Sequence, residues 1–275
     1  SFEYGVYRAD PPYTSWSNLN ANLPTIYDPG YVTFRNSFYV IGGSDWSQPS
    51  VFTSDVWSSP DGITWTMLTD KQPWGFREYH SLVVFHDKIW LLGGDTSPEG
   101  KPANDVWSTE DGVNWTLEVE HAPWRASARG WCAAFKDRVY RMDNGTYSTD
   151  ARELWSSPDG IAWEKVEVDN PSFDGTLAFV LNDVLYVLTG TYDGSPASTW
   201  RSSDGTHWEF VPNTIGWGGR AAFASARLGP YVFQTGGWTE RENMSDKSSE
   251  VWRTNSGNTW QLIKPSAPWG PRTNH

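Results

Sequence analysis

Cysteine is almost absent from this sequence of 275 residues, in which Cys132 is the only one. A single thiol excludes an internal disulfide framework and any zinc site built from cysteines. The apolar run from Trp131 to Phe135 surrounds Cys132 and favours a small buried side chain over a reactive thiol. Cysteine content therefore leaves the redox compartment open.

Basic residues are also scarce, with 21 Lys and Arg against 33 Asp and Glu and a formal net charge of −12. A protein that binds a nucleic-acid backbone needs a basic surface, so we expect no nucleic-acid partner. No apolar run approaches the roughly 18–20 residues of a membrane-spanning helix, and the first residues lack the charged-then-apolar pattern of a signal peptide. We therefore expect no membrane span.

Aromatic residues, by contrast, are abundant: 19 Trp, 12 Tyr and 12 Phe make up 16% of the chain. This content excludes a disordered chain. The 25 Gly and 18 Pro interrupt every stretch and disfavour long helical bundles.

A repeated pair of tryptophans, eight residues apart, is the main feature of the sequence. The pair occurs five times at intervals of 45 to 52 residues: Trp57/Trp65, Trp107/Trp115, Trp155/Trp163, Trp200/Trp208 and Trp252/Trp260. Four of the pairs enclose Asp-Gly and the fifth encloses Ser-Gly. Asp-Gly between β-forming residues is a strong hairpin signal, because glycine adopts positive φ without steric cost.

A second β-rich hairpin precedes each tryptophan pair. In one repeat, Ser81–Phe85 and Lys88–Leu92 meet at His86-Asp87 and are followed by Gly93-Gly94. Each repeat therefore contains four short strands in about 48 residues. Four-stranded units at a period of about 40–50 residues are typical of β-propeller blades.

These features resemble the kelch family of β-propellers. The matching elements are the apolar strand pair, Gly-Gly, a variable loop, and then Asp105-Val106-Trp107 with a second Trp. The segment from Ser58 to Trp65 also resembles the Asp-box hairpin of sialidase-type propellers, with its Asp moved next to the Gly. The resemblance implies an all-β propeller of four-stranded antiparallel blades, whereas kelch propellers serve as enzymes, adaptors and lectin-like modules.

The repeats divide the chain into one predicted propeller domain, residues 1–275. It has five full blades, at residues 24–70, 71–120, 121–168, 169–212 and 213–264. Residues 1–23 are predicted to form the outer hairpin of a further, split blade, and residues 265–275 repeat the segment that leads into an inner strand pair. A six-bladed ring is our leading expectation. The inner pair could come from a longer parent chain, the ring could have five blades with an accessory hairpin, or a partner could donate the strands.

Strand order places the second-to-third and blade-to-blade loops on one side of the blades, which we call the loop face. The candidate ligand-binding residues on this face are Trp46, Trp238, Trp74, Arg77, Trp124, Arg125, Arg129, Trp217, Arg220, Trp269 and Arg272. Indole rings pack against sugars or peptides, and Arg binds carboxylates in bidentate fashion. For the recurring Trp and Arg residues, regular repetition favours packing and hydrogen bonding between blades over ligand binding. The repeat does not explain Trp46 and Trp238, for which the two interpretations stand level.

The propeller resemblance raises two enzyme classes. A sialidase-like site would use Arg77, Arg220 and Arg272 to hold a carboxylate, but adjacent Glu78 and Tyr79 would point to opposite sides of a strand. A galactose-oxidase-like copper site would need a Cys–Tyr cross-link and two His, and the five His show no ligand spacing. We predict no catalytic residues, no metal site and no cofactor.

Three N-glycosylation sequons begin at Asn114, Asn144 and Asn243. Together with the acidic, Trp-rich composition they favour a secreted or cell-surface protein, although a cytoplasmic one is compatible. The sequence thus predicts a non-enzymatic module that binds a protein or glycan partner through the loop face. The alternatives are a glycan-acting enzyme on the same face and a structural subunit completed by strand donation.

Overall fold

A computed structural model describes the chain at residues 6–45, 51–96, 100–128, 130–143, 153–168, 177–189, 198–212, 216, 220, 223–238 and 247–271, with only the backbone at 45, 51 and 52. All regular secondary structure in these residues is β-strand. The strands form five four-stranded antiparallel blades and a small N-terminal sheet. The prediction of an all-β protein of the β-propeller class is confirmed.

The strands occur in chain order as follows. The N-terminal sheet contains β1 (Tyr7–Arg8) and β2 (Ser17–Asn18). Blade A contains β3 (Gly30–Phe34), β4 (Ser37–Ile41), β7 (Val56–Ser59) and β8 (Thr66–Thr69), and a separate hairpin contains β5 (Ser44–Asp45) and β6 (Val51–Phe52). Blade B contains β9 (Ser81–Phe85), β10 (Lys88–Asp95), β11 (Pro102–Thr109) and β12 (Trp115–Val119). Blade C contains β13 (Gly130–Phe135), β14 (Arg138–Asp143), β15 (Leu154–Ser157) and β16 (Glu164–Val166). Blade D contains β17 (Leu177–Leu181), β18 (Val184–Leu188), β19 (Thr199–Ser202) and β20 (Glu209–Val211). Blade E contains β21 (Ala224–Leu228), β22 (Tyr231–Thr235), β23 (Val251–Thr254) and β24 (Gln261–Lys264).

The chain divides into two compact units. Asn20–Glu167, the central unit, holds blades A, B and C; Ser1–Leu19 with Val168–His275, the terminal unit, holds the N-terminal sheet and blades D and E. In every blade the four strands follow one another as antiparallel neighbours. A single domain with a split sixth blade stays a prediction.

The turn between the first two strands of a blade has a common backbone form. Both central residues have positive φ in blades A, B and D: Arg35-Asn36, His86-Asp87 and Asn182-Asp183. This is the type I′ geometry, whose twist matches that of the flanking strands. It keeps the inner hairpins in register from the first pair after the turn.

The Asp-Gly turn between the third and fourth strands is stabilised by its own side chains. In blade A, Oδ1 of Asp61 accepts hydrogen bonds from the amides of Ile63 at 2.8 Å and Thr64 at 2.9 Å. The indole of Trp65 donates to the carbonyl of Gly62 at 3.0 Å. The amide of Thr64, then that of Ile63, lowers the pKa of the exposed Asp61 carboxyl. The aspartate therefore shapes the turn, as expected for a structural Asp-box-like element.

Pairs of tryptophans fill the core of the central unit. Trp74, from the segment leading into blade B, meets Trp115 at a centroid distance of 5.7 Å, and Trp124 meets Trp163 of blade C at 4.4 Å, both edge-to-face. Blade B and blade C also approach closely at Gly160, where a β-carbon would lie 2.5 Å from the ring of Trp90. Aromatic packing and a glycine contact thus hold neighbouring blades together here.

The terminal unit repeats this arrangement with the N-terminal sheet. Trp269 meets Trp16 edge-to-face at 4.9 Å and Tyr7 at 5.3 Å. Tyr13 packs against Phe233 of blade E at 5.1 Å. The predicted N-terminal hairpin is therefore present as a two-stranded sheet that covers the end of blade E. Within the described residues, no helix is long and apolar enough to cross a lipid bilayer.

Candidate functional site

Three of the recurring tryptophans of the loop face lie in the hydrophobic core. Trp74, Trp124 and Trp269 are 4%, 2% and 8% exposed and belong to three separate apolar clusters. Their positions just before a strand pair place them against the second Trp of a repeat. Their main contacts are structural, and their role in ligand binding stays a prediction.

Two of the predicted arginines are buried with acidic partners. Arg77 forms a bidentate pair with Asp105 and donates to the carbonyls of Gly93 and Trp74, each at 3.1 Å. Asp105 also accepts from the indole of Trp107 at 2.7 Å. This network ties the lead-in segment to the second and third strands of blade B. The Arg77 guanidinium therefore stabilises its own blade.

Blade E contains the equivalent network. Arg220 donates to Glu250 at 2.5 Å, to Ser248 Oγ at 2.9 Å and to the carbonyl of Gly236 at 3.1 Å. Glu250 accepts from the indole of Trp252 at 3.0 Å. Burial would raise the pKa of Glu250, but the bonds from Trp252 and Arg220 outweigh it and lower the pKa.

Arg125 is exposed, and its guanidinium lies 3.8 Å from the buried carboxylate of Asp143. A second arginine, Arg141, is buried nearby: it bonds to Ser127 Oγ at 3.2 Å and lies over the Trp124 ring at 5.1 Å. The sequence analysis missed Arg141. The sequence does mark Arg141 as unusual, because the equivalent residues of the second strand in blades A, B and D are the apolar Val40, Leu91 and Val187.

Trp238 differs from the recurring tryptophans. It is half-buried and lies at the loop face, where it forms an antiparallel bridge with Lys247. The ammonium of Lys247 lies 4.8 Å from the centroid of the indole. The structure therefore leaves part of an aromatic surface and a cation together at the end of blade E.

Several predicted residues lie outside the described part of the chain. These are Trp46, Arg129, Trp217 and Arg272, with the sequon residues Asn144 and Asn243. Asn114 is described and exposed, and its side-chain amide donates to Asp111 at 2.7 Å within the Asp-Gly turn. The glycosylation of all three stays a prediction.

A buried histidine at the loop end of blade B was also missed. His80 is 9% exposed, and neither ring nitrogen has a hydrogen-bond partner among the described residues. β-Carbons on Gly30 and Gly42 of blade A would lie 2.6 and 3.1 Å from its ring. Burial, and secondarily the charge of Arg77, lowers the pKa of His80 to about 3.

Glu78 and Cys132, which belong to the two enzyme hypotheses, lie in environments that do not suit catalysis. Glu78 is buried and accepts a hydrogen bond from Ser44 Oγ at 3.1 Å. Burial raises the pKa of the Cys132 thiol to about 12, which keeps it protonated and unreactive. The described residues contain no group of three or more His, Cys, Asp or Glu that could hold a metal ion.

Comparisons with known proteins leave the family open. No family model matches the chain, and no curated protein matches it.

Proposed function

We propose that this protein is a non-enzymatic, kelch-type propeller that is secreted or lies at the cell surface. It binds a protein or glycan partner through its loop face. The observation that carries this proposal is the contrast between Trp238 and the recurring tryptophans. Trp74, Trp124 and Trp269 bury their rings in apolar clusters, whereas Trp238 remains half-buried at the loop face beside a lysine. An aromatic anchor of this kind is typical of binding sites.

The titratable groups support a binding role over a catalytic one. In the Asp-Gly turns, burial would raise the pKa of Asp111, but the amides of Asn114 and Val113 outweigh it and lower the pKa to about 2. Arg77 and Arg220 are neutralised within their own blades. These groups serve the architecture rather than converging on one reacting centre.

A glycan array combined with a pull-down from the native source tests the proposal. We expect the parent to bind, and Trp238→Ala to weaken binding by roughly tenfold or more, because an aromatic anchor that a ligand covers contributes at least ~1.4 kcal/mol. Phe210→Ala is the matched control, since Phe210 is an exposed aromatic residue on the outer strand β20 of the same unit. Unchanged binding in a Trp46→Ala, Trp238→Ala double variant would show that the wrong face was chosen.

A further inference from the structure

Lys247 is held in a fixed position over Trp238. The two residues oppose each other in an antiparallel bridge, and the amide of Ser248 donates to the carbonyl of Gly237 at 2.8 Å. These backbone contacts bring the ammonium to 4.8 Å from the indole centroid, within the range of a cation–π interaction. The cation is thus positioned before any ligand arrives.

The charge of Lys247 has no acidic partner within the described residues. Lys165, by contrast, is paired with Glu153 at 2.8 Å. The acid closest to Lys247 along the described chain, Glu250, is already occupied by Arg220 and by the indole of Trp252. Among the described residues, nothing acidic takes up the hydrogen-bond donors of the ammonium, which can therefore serve a carboxylate ligand.

We propose that Trp238 and Lys247 form a subsite for a sugar that carries a carboxylate, such as a uronic acid. This inference rests on the proposed function and specifies its ligand. In a uronic acid the carboxylate is attached directly to the pyranose ring, so the apolar ring surface and the charge are separated by a few ångströms. That spacing is similar to the 4.8 Å between the indole centroid and the ammonium. An acidic peptide instead presents its carboxylate on a flexible side chain that must be ordered on binding.

The negative net charge of the protein limits the length of an acidic ligand. With −12 on the chain, a long polyanion is repelled by the surface as a whole. A carboxylate in contact with Lys247 gains a short-range, charge-assisted hydrogen bond that this repulsion does not remove. The subsite therefore favours a short acidic oligosaccharide over a long one.

Calorimetric titration with a matched pair of probes tests the subsite. The probes are tetragalacturonate and its fully methyl-esterified, uncharged form. We expect the parent to bind the acid at least about tenfold more tightly than the ester, because only the acid forms the charge-assisted bond. Lys247→Gln should bind both probes equally weakly, whereas Lys264→Gln, a lysine on β24, should behave as the parent.

The outcomes separate this inference from the proposed function. Equal affinity of the parent for acid and ester, or a preference unchanged in Lys247→Gln, overturns the acidic-sugar subsite; loss of array binding in Trp238→Ala would then still uphold the loop face. Equally tight, Lys247-dependent binding of tetraglutamate overturns the choice of a sugar. Trp238→Phe is the second variant should Trp238→Ala fail to fold, and it should keep the preference for the acid because it retains an aromatic face.

Discussion

The buried imidazole of His80 makes a defined prediction about stability in mild acid. Its folded-state pKa is about 3, against an ordinary value of 6.5, so the unfolded chain takes up a proton that the folded chain excludes. Stability is therefore complete above pH 6.5 and falls as the pH drops from 6.5 towards 3. At pH 5, about 1.5 pH units below the ordinary pKa, the loss is about 2 kcal/mol at roughly 1.4 kcal/mol per unit.

Urea unfolding followed by tryptophan fluorescence at pH 8 and pH 5 measures this loss. We expect His80→Asn to lose about 2 kcal/mol less than the parent between these pH values, whatever its stability at pH 8. His86→Asn removes an exposed histidine that stacks on Phe85 and serves as the control. If His80→Asn and the parent lose the same free energy, His80 is hydrated or paired in solution and the burial argument is refuted.

Three further predictions concern the architecture and can be measured by the same unfolding experiment at pH 8. Arg77→Ala should cost about 3–5 kcal/mol, because it leaves the partly buried Asp105 carboxylate without its cation. Gly160→Ala should be strongly destabilising, because the added β-carbon would lie 2.5 Å from the ring of Trp90 and φ is +81°. Trp115→Ala should cost ~3–5 kcal/mol through the cavity it leaves beside Trp74.

Each of these predictions has a control within the chain. Arg8→Ala breaks an exposed pair with Asp10 and should cost no more than about 1 kcal/mol. Gly229 also has positive φ but nothing within 4 Å of an added β-carbon, so Gly160→Ala should exceed Gly229→Ala by roughly 1–3 kcal/mol. Leu262→Ala removes an exposed apolar side chain and should change stability far less than Trp115→Ala. Equal losses within any pair would contradict the assigned contact.

The fold was predictable because its signals are local and repeated. The turns, four with Asp-Gly and one with Ser-Gly, and the alternating strands each act over a few residues, and the five repeats reinforce one another. One detail differs in blade B, where the sequence predicts a second strand from Lys88 to Leu92, followed by Gly93-Gly94. Instead β10 continues to Asp95, with a shift in register between Leu92 and Gly94. Glycine allowed an irregular pairing here rather than a break.

The candidate site was less predictable because its contacts cross variable loops. The repeat singled out Trp238 as unexplained, but nothing in the sequence indicated that Lys247 would lie over its ring. The burial of His80 likewise depends on Gly30 and Gly42 in another blade. These glycines are too far from His80 in the sequence for a local pattern to indicate the contact. Arg141 was visible only as a charged residue at an apolar position, a signal that requires alignment of the blades.

The account rests on the separation of structural tryptophans from Trp238, the proposed ligand contact. Oxidative labelling of the native protein, with modified residues located by mass spectrometry, tests it most directly. We expect Trp238 to be labelled while Trp74, Trp124 and Trp115 are protected, and the labelling of Trp238 to fall when a bound glycan is present. Labelling of the core tryptophans in the folded protein, or of Trp238 to the same extent with and without the glycan, would contradict the account.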